Sequence, residues 1–172
     1  GIHYDPTRAS DLEVLLAEGA FPPALLERAV RLSATILAAG ISKYGGDAAH
    51  SFPERAAGKR LVLVAGQVED DQSVLLGGAG LTSNLEVLRR ARVLEPDAEI
   101  WFRPHPDVDA GHRKGAVRDD EALVHADRIV RGGTMARLLD LVDAVHVLTS
   151  LTGFEALLRG RAVTCHGVPF YA

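Results

Sequence analysis

Three short clusters hold the side chains that could do chemistry. Gln67-Val68-Glu69-Asp70-Asp71 sets three consecutive carboxylates just after an apolar run. A carboxylate there can serve as nucleophile or base, and neighbouring like charges raise one another's pKa. Arg103-Pro104-His105-Pro106-Asp107 flanks an imidazole with two prolines, which lowers the entropy of holding it in place. Arg103 and His105 form a cationic pair suited to a phosphate or carboxylate. Thr149-Ser150-Leu151-Thr152-Gly153-Phe154-Glu155 offers hydroxyls and free N–H groups at a helix start, where an anion can dock. Glu155 would repel that anion and suits ribose hydroxyls better. Gly77, Gly78 and Gly80 match neither G-x-G-x-x-G nor a G-K-[ST] ending, so standard phosphate loops are disfavoured. Asp107-Val108-Asp109 mimics a D-x-D metal motif, but the seven His lack the spacing of zinc ligands, and no metal is expected.

These clusters need elements to hold them. Ser10-Asp11-Leu12-Glu13 reads as a capping box before a short helix, and helical spacing from Leu25 to Leu37 predicts a second helix stopped by Gly40. Residues 41–58, with four Gly or Pro, read as a loop. Leu61 to Gly66 is a continuous apolar run, as in a strand buried on both faces. Ser83 to Glu86 reads as another capping box, opening a helix to about Leu94. Further strands are expected at 99–103, 128–130, 144–148 and 162–165, with helices at 119–126, 135–141 and 153–158. Thr152 is the expected cap of the last helix, Glu155 its capping-box partner and Gly160 its stop. Alternating strands and helices predict an α/β, Rossmann-like parallel sheet with helices on both faces. All three clusters then sit beyond the carboxyl ends of strands, where ligands of such sheets bind. The organisation is a helical lead-in and loop over 1–58 and a nucleotide-binding domain over 59–172.

Composition narrows the function. With 172 residues, 47% of them apolar, the chain can bury one core. Nineteen basic against twenty-three acidic residues give a charge of −4, which argues against nucleic acid or an anionic membrane as main partner. No apolar run approaches the roughly 20 residues of a membrane span. Cys165, the single cysteine, can form no internal disulfide, and no signal peptide is recognisable, so a cytoplasmic setting is expected. The sequence opens at Gly1 without an initiator Met and closes on an apolar tail, so it reads as a piece of a longer protein.

Taken together, the three clusters, with Ala156-Leu157-Leu158-Arg159-Gly160 after the last and the terminal Gly167-Val168-Pro169-Phe170-Tyr171-Ala172, resemble the bacterial capsule polysaccharide biosynthesis proteins. That family includes the KpsC-type β-Kdo glycosyltransferases. The resemblance implies one half of a GT-B-like glycosyltransferase, using CMP-Kdo as donor and no further cofactor. It implies transfer with retention to a lipid-linked Kdo acceptor, at the inner membrane periphery or in a capsule assembly complex. Carried over by position, His105, Thr149 and Ser150 face the CMP phosphate, Glu155 holds the ribose, and Arg103 belongs to the same nucleotide site. Asp70 is the carboxylate of choice for nucleophile or charge stabiliser, with Glu69 and Asp71 as alternatives and His105 beside them. The competing readings are another GT-B-like sugar-nucleotide enzyme, of the UDP-sugar epimerase type, and a noncatalytic scaffold module in capsule assembly.

Overall fold

The computed structural model describes residues 1–43, 45 and 49–172, so part of the 41–58 loop, at 44 and 46–48, lies outside the described residues. The elements run α1 (Asp11–Glu18), α2 (Pro23–Ala38), β1 (Leu61–Ala65), α3 (Gln72–Gly77), α4 (Asn84–Leu94), β2 (Glu99–Arg103), α5 (Pro106–Asp109), α6 (Asp119–Ala122), β3 (Arg128–Ile129), α7 (Met135–Leu141), β4 (Ala144–Val147), α8 (Leu151–Leu158) and β5 (Ala162–Cys165). All strands pair in parallel, in the order β3-β2-β1-β4-β5. The chain therefore starts at the middle strand, winds one way through β2 and β3, and returns to add β4 and β5 on the other side.

Every residue of β1 is buried, because the sheet is covered on both faces and leaves no side for polar residues. Val62, Val64, Ile100 and Phe102 point to one core, packed with Val87, Leu88 and Ala91 of α4. Leu61, Leu63, Trp101, Val145 and Val147 point to the other, against Leu138 and Leu139 of α7 and Ala156 of α8. The amino ends of the strands are pinned by carboxylates: Leu61 N–H donates to Asp143 (2.8 Å) and Ile100 N–H to Asp127 (2.7 Å).

Several local expectations are corrected. The Ser10 capping box closes in both directions, but only half of the Ser83 box does. Ser83 Oγ accepts from Glu86 N–H, while the Glu86 carboxylate turns outward to Arg89 and Arg90 at 2.7 and 2.9 Å. Two guanidiniums outcompete one neutral N–H for a carboxylate. The acidic cluster runs into a helix, α3, for which no apolar periodicity argued; Asp71 caps it through Ser73 N–H. The helix at 119–126 shortens to Asp119–Ala122. Finally, α8 starts at Leu151, capped by Ser150 rather than Thr152, and Gly160 closes it at φ +67°.

Candidate functional site at the sheet's switch point

The order of strands reverses between β1 and β4, and in open α/β sheets the crevice at such a reversal is where ligands bind. Here the loops after β1, β2 and β4 meet around a cavity of about 220 Å³. Its polar wall carries Gln67, Asp71, Ser73, His105, Thr149, Ser150, Thr152 and Glu155. One member or more of each sequence cluster is present. The lead-in adds His3, Tyr4, Ser42 and Lys43, and the tail adds Val168, Pro169 and Phe170. The tail residues entered the family resemblance without a site role and the lead-in residues were not marked at all, because chain segments distant in sequence close the cavity only after folding.

The three carboxylates part company. Glu69 Oε1 accepts from the Asn84 N–H at 2.7 Å, at the start of α4, which is a structural task. Asp70 pairs with Arg113 at 3.2 Å and is not on the cavity wall. Asp71 is on it. Its Oδ1 accepts from Ser73 N–H (2.9 Å) and Ser73 Oγ (2.7 Å). Burial by itself would raise the Asp71 pKa, but those two bonds, with Arg113 and Lys43 nearby, hold it below the ordinary carboxylate range.

His105 and Arg103 also separate. Pro106 sets the first residue of α5, and His105 caps it: Nδ1 accepts from Asp107 N–H at 3.2 Å. An accepting Nδ1 puts the proton of the neutral ring on Nε2. Burial lowers the His105 pKa, Asp107 opposes that, and Lys43 and Arg113 reinforce it, so the ring on the cavity wall is neutral at pH 7. Arg103 instead turns to the β3–α7 loop, donating to the carbonyls of Gly132 and Gly133. It is absent from the wall of this cavity, because its guanidinium is held by those two carbonyls, one on exposed Gly132 and one on buried Gly133.

At the start of α8, Ser150 Oγ accepts from Thr152 N–H (3.2 Å) and bonds the Thr152 hydroxyl (3.1 Å). Ser150 is thus committed as a cap, which leaves Thr152 as the hydroxyl nearer to spare. Glu155 does not close a capping box. It is only 8% exposed, and its Oε1 accepts from Lys43 N–H at 3.1 Å. Its Oε2 is buried without a hydrogen-bond partner among the described residues, as is Ser42 Oγ on the same cavity. A buried carboxylate oxygen left unpaired is costly, and a ligand hydroxyl would satisfy it. Gln67 is the residue that sequence reasoning passed over. Its side chain spans the switch point, accepting from Thr149 N–H (2.7 Å) and donating to Thr149 Oγ1 (3.0 Å). The signal was a lone polar residue directly after the apolar run of β1.

Comparison with known proteins places this cavity in context. The family described as "Capsule polysaccharide biosynthesis protein" matches residues 1–172. The capsule polysaccharide modification protein LipA of Neisseria meningitidis serogroup A is 39% identical over 171 residues, which are 99% of this chain and 24% of LipA. The lipopolysaccharide-processing protein LpsZ of Rhizobium meliloti is 42% identical over 178 residues, covering 100% of this chain and 40% of LpsZ. Two solved structures of Thermosulfurimonas dismutans KpsC superpose on the whole chain. Its beta Kdo 2,7 transferase has a TM-score of 0.84 at 38% identity, and its beta Kdo 2,4 transferase 0.86 at 33%. The chain spans 52% and 54% of those structures, and less than half of LipA or LpsZ.

Proposed function

Because the chain belongs to the capsule polysaccharide biosynthesis protein family, we propose that it is the donor-binding part of a retaining Kdo glycosyltransferase that uses CMP-Kdo. The observation that carries this reading is the meeting of Asp71, His105, the start of α8 and Glu155 on one cavity at the switch point. CMP lies with its phosphate toward His105 and the first turn of α8, where N–H groups and the helix dipole favour negative charge. Glu155 Oε2, buried without a partner among the described residues, takes a ribose hydroxyl.

Loss of CMP from the anomeric carbon leaves oxocarbenium-like charge. A carboxylate beside it stabilises or traps that charge, and a second displacement by the acceptor hydroxyl then gives retention. Of the three sequence candidates, Asp71 alone lines the cavity, and its hydrogen bonds keep it ionised. His105 and the α8 start stabilise the phosphate that departs. The acceptor is a lipid-linked glycan met at the inner membrane surface, and no helix among the described residues is long and apolar enough to cross a membrane. Acceptor binding falls to the remainder of the longer protein, as this chain covers about half of the KpsC structures.

The test is thermal denaturation with nucleotides. CMP at about 100 times its dissociation constant raises stability by ~2.7 kcal/mol, and UMP at the same concentration gives a smaller shift. A melting temperature that stays fixed in millimolar CMP defeats the reading. An equal response to UMP turns it toward a UDP-sugar enzyme.

A further inference from the structure

The side chains between β1, α3 and β4 form a chain of hydrogen bonds whose direction can be worked out from its two ends. Thr149 N–H can only donate, and it donates to Gln67 at 2.7 Å, which identifies that atom as the amide oxygen Oε1. The other terminus of Gln67 is then the NH₂, which donates to Thr149 Oγ1 at 3.0 Å. The Thr149 hydroxyl, already an acceptor there, directs its one proton to Ser73 Oγ at 3.4 Å. Ser73 Oγ in turn donates to Asp71 Oδ1 at 2.7 Å. The direction of the middle link is set from the far end: an ionised carboxylate only accepts, so Ser73 Oγ gives its proton to Asp71 and is left to accept from Thr149 Oγ1.

The head of the chain is itself fixed. Asn84 is 6% exposed, and its side chain grips the Gln67 backbone on both sides. Asn84 Oδ1 accepts from Gln67 N–H (2.9 Å) and Nδ2 donates to the Gln67 carbonyl (2.8 Å). Nδ2 also donates to the Gly115 carbonyl at 2.8 Å. Gly115 has φ +121°, and a Cβ there would lie 2.8 Å from Asn84 Nδ2 and 2.8 Å from the Gln67 carbonyl oxygen. Only glycine lets that loop close over the amide pair. Gln67, 8% exposed, is thus oriented before any ligand arrives.

We propose that Gln67, Thr149 and Ser73 are positioning residues that form a one-way hydrogen-bond relay, holding the Asp71 carboxylate as an acceptor in one orientation on the cavity wall. The proton of Thr149 Oγ1 is committed to Ser73, so Thr149 acts on the reaction through Asp71 and not as a donor to the donor sugar's phosphate. This revises the role that family resemblance gives Thr149. Its importance for transfer rests on the reading of Asp71 as the reacting carboxylate, whereas the relay itself can be measured without any substrate.

The experiment is a ¹³C NMR titration of the Asp71 carboxyl in the full 172-residue chain, wild type and three variants. Among the described residues, the charged and titratable groups facing Asp71 are Arg113, Lys43 and His105, and all three are kept. Ser73→Ala removes the direct donor and raises the Asp71 midpoint most. Thr149→Val keeps the shape, lacks the hydroxyl, and raises the midpoint by a smaller amount from one bond further away. Thr149→Ser restores the hydroxyl and the wild-type midpoint. A Thr149→Val midpoint equal to wild type overturns the relay; if that variant does not fold, an unchanged midpoint in Ser73→Ala does so instead. CMP titration of the same samples separates the two claims. A wild type that ignores CMP removes the nucleotide reading, while the Asp71 midpoints still decide the relay.

Discussion

Asp71 receives two hydrogen bonds from Ser73, whereas Asp70, one residue earlier, meets Arg113 at 3.2 Å with its side chain 41% exposed. Adjacent carboxylates thus have unequal use. On the proposed reading, in a protein that joins this chain to an acceptor-binding part, Asp71→Asn is expected to lower Kdo transfer on the order of 10⁴-fold or more, the scale for loss of one member of a catalytic set. Asp70→Asn gives up only a half-exposed ion pair, worth less than about 1 kcal/mol, and keeps transfer within a few-fold of wild type. Radiolabelled Kdo transfer measured for both variants decides between them; equal losses would return Asp70 to the site. No periodicity or spacing separates the three carboxylates in the sequence. Their difference lies in the direction each side chain takes once α3 and α4 have formed around them.

At the scale of elements, β4 and the end of β5 bring two histidines together inside the sheet. His146 is 1% exposed, and its Nδ1 lies 3.1 Å from His166 Nε2. Burial, then His166 and Arg60, push its pKa down to about 4. In the unfolded chain the ring titrates near 6.5. The folded state therefore binds fewer protons than the unfolded state between those values. Stability is full above pH 6.5 and is lost as pH falls from about 6.5 toward about 4. Chemical denaturation at a series of pH values is expected to show this limb, and His146→Gln to flatten it. A limb that survives unchanged in the variant would assign it to other groups. Strand positions followed the apolar patterns closely, since burial on two faces writes a continuous apolar run into β1 and leaves His146 the one polar residue of β4, whereas α3 carried no such pattern. Helix starts did not. Ser150, Thr152 and Glu155 make a plausible cap in two registers, and packing of α8 against β4 and β5 selected the earlier one.

For the molecule as a whole, the lead-in divides its contribution unevenly. Neither α1 nor α2 contains a buried residue, yet His3, Tyr4, Ser42 and Lys43 lie on the cavity. Meanwhile Phe52 packs on one core, and Ala56 N–H donates to the buried Glu99 at 2.5 Å. Removal of residues 1–43 is therefore expected to leave cooperative unfolding of the sheet intact, because little apolar burial is lost. On the proposed reading the same truncation is expected to weaken CMP binding, because Lys43 and its N–H bond to Glu155 go with it. Calorimetric melting and CMP titration of the truncated chain check both halves. Loss of cooperative unfolding would make the lead-in part of the folding unit.

The sequence alone determined the parallel α/β architecture, the rim on which the three polar clusters lie, and the family, because apolar runs and motif order are local properties of the chain. The tertiary structure decided which side chains reach the cavity. Asp71 was separated from Asp70, Arg103 was drawn off to two carbonyls, and Gln67 was found at the head of a hydrogen-bond chain. Those outcomes depend on competition for donors and acceptors among groups from 2 to 82 residues apart. Such competition is settled only when the strands are paired and water has been excluded between them.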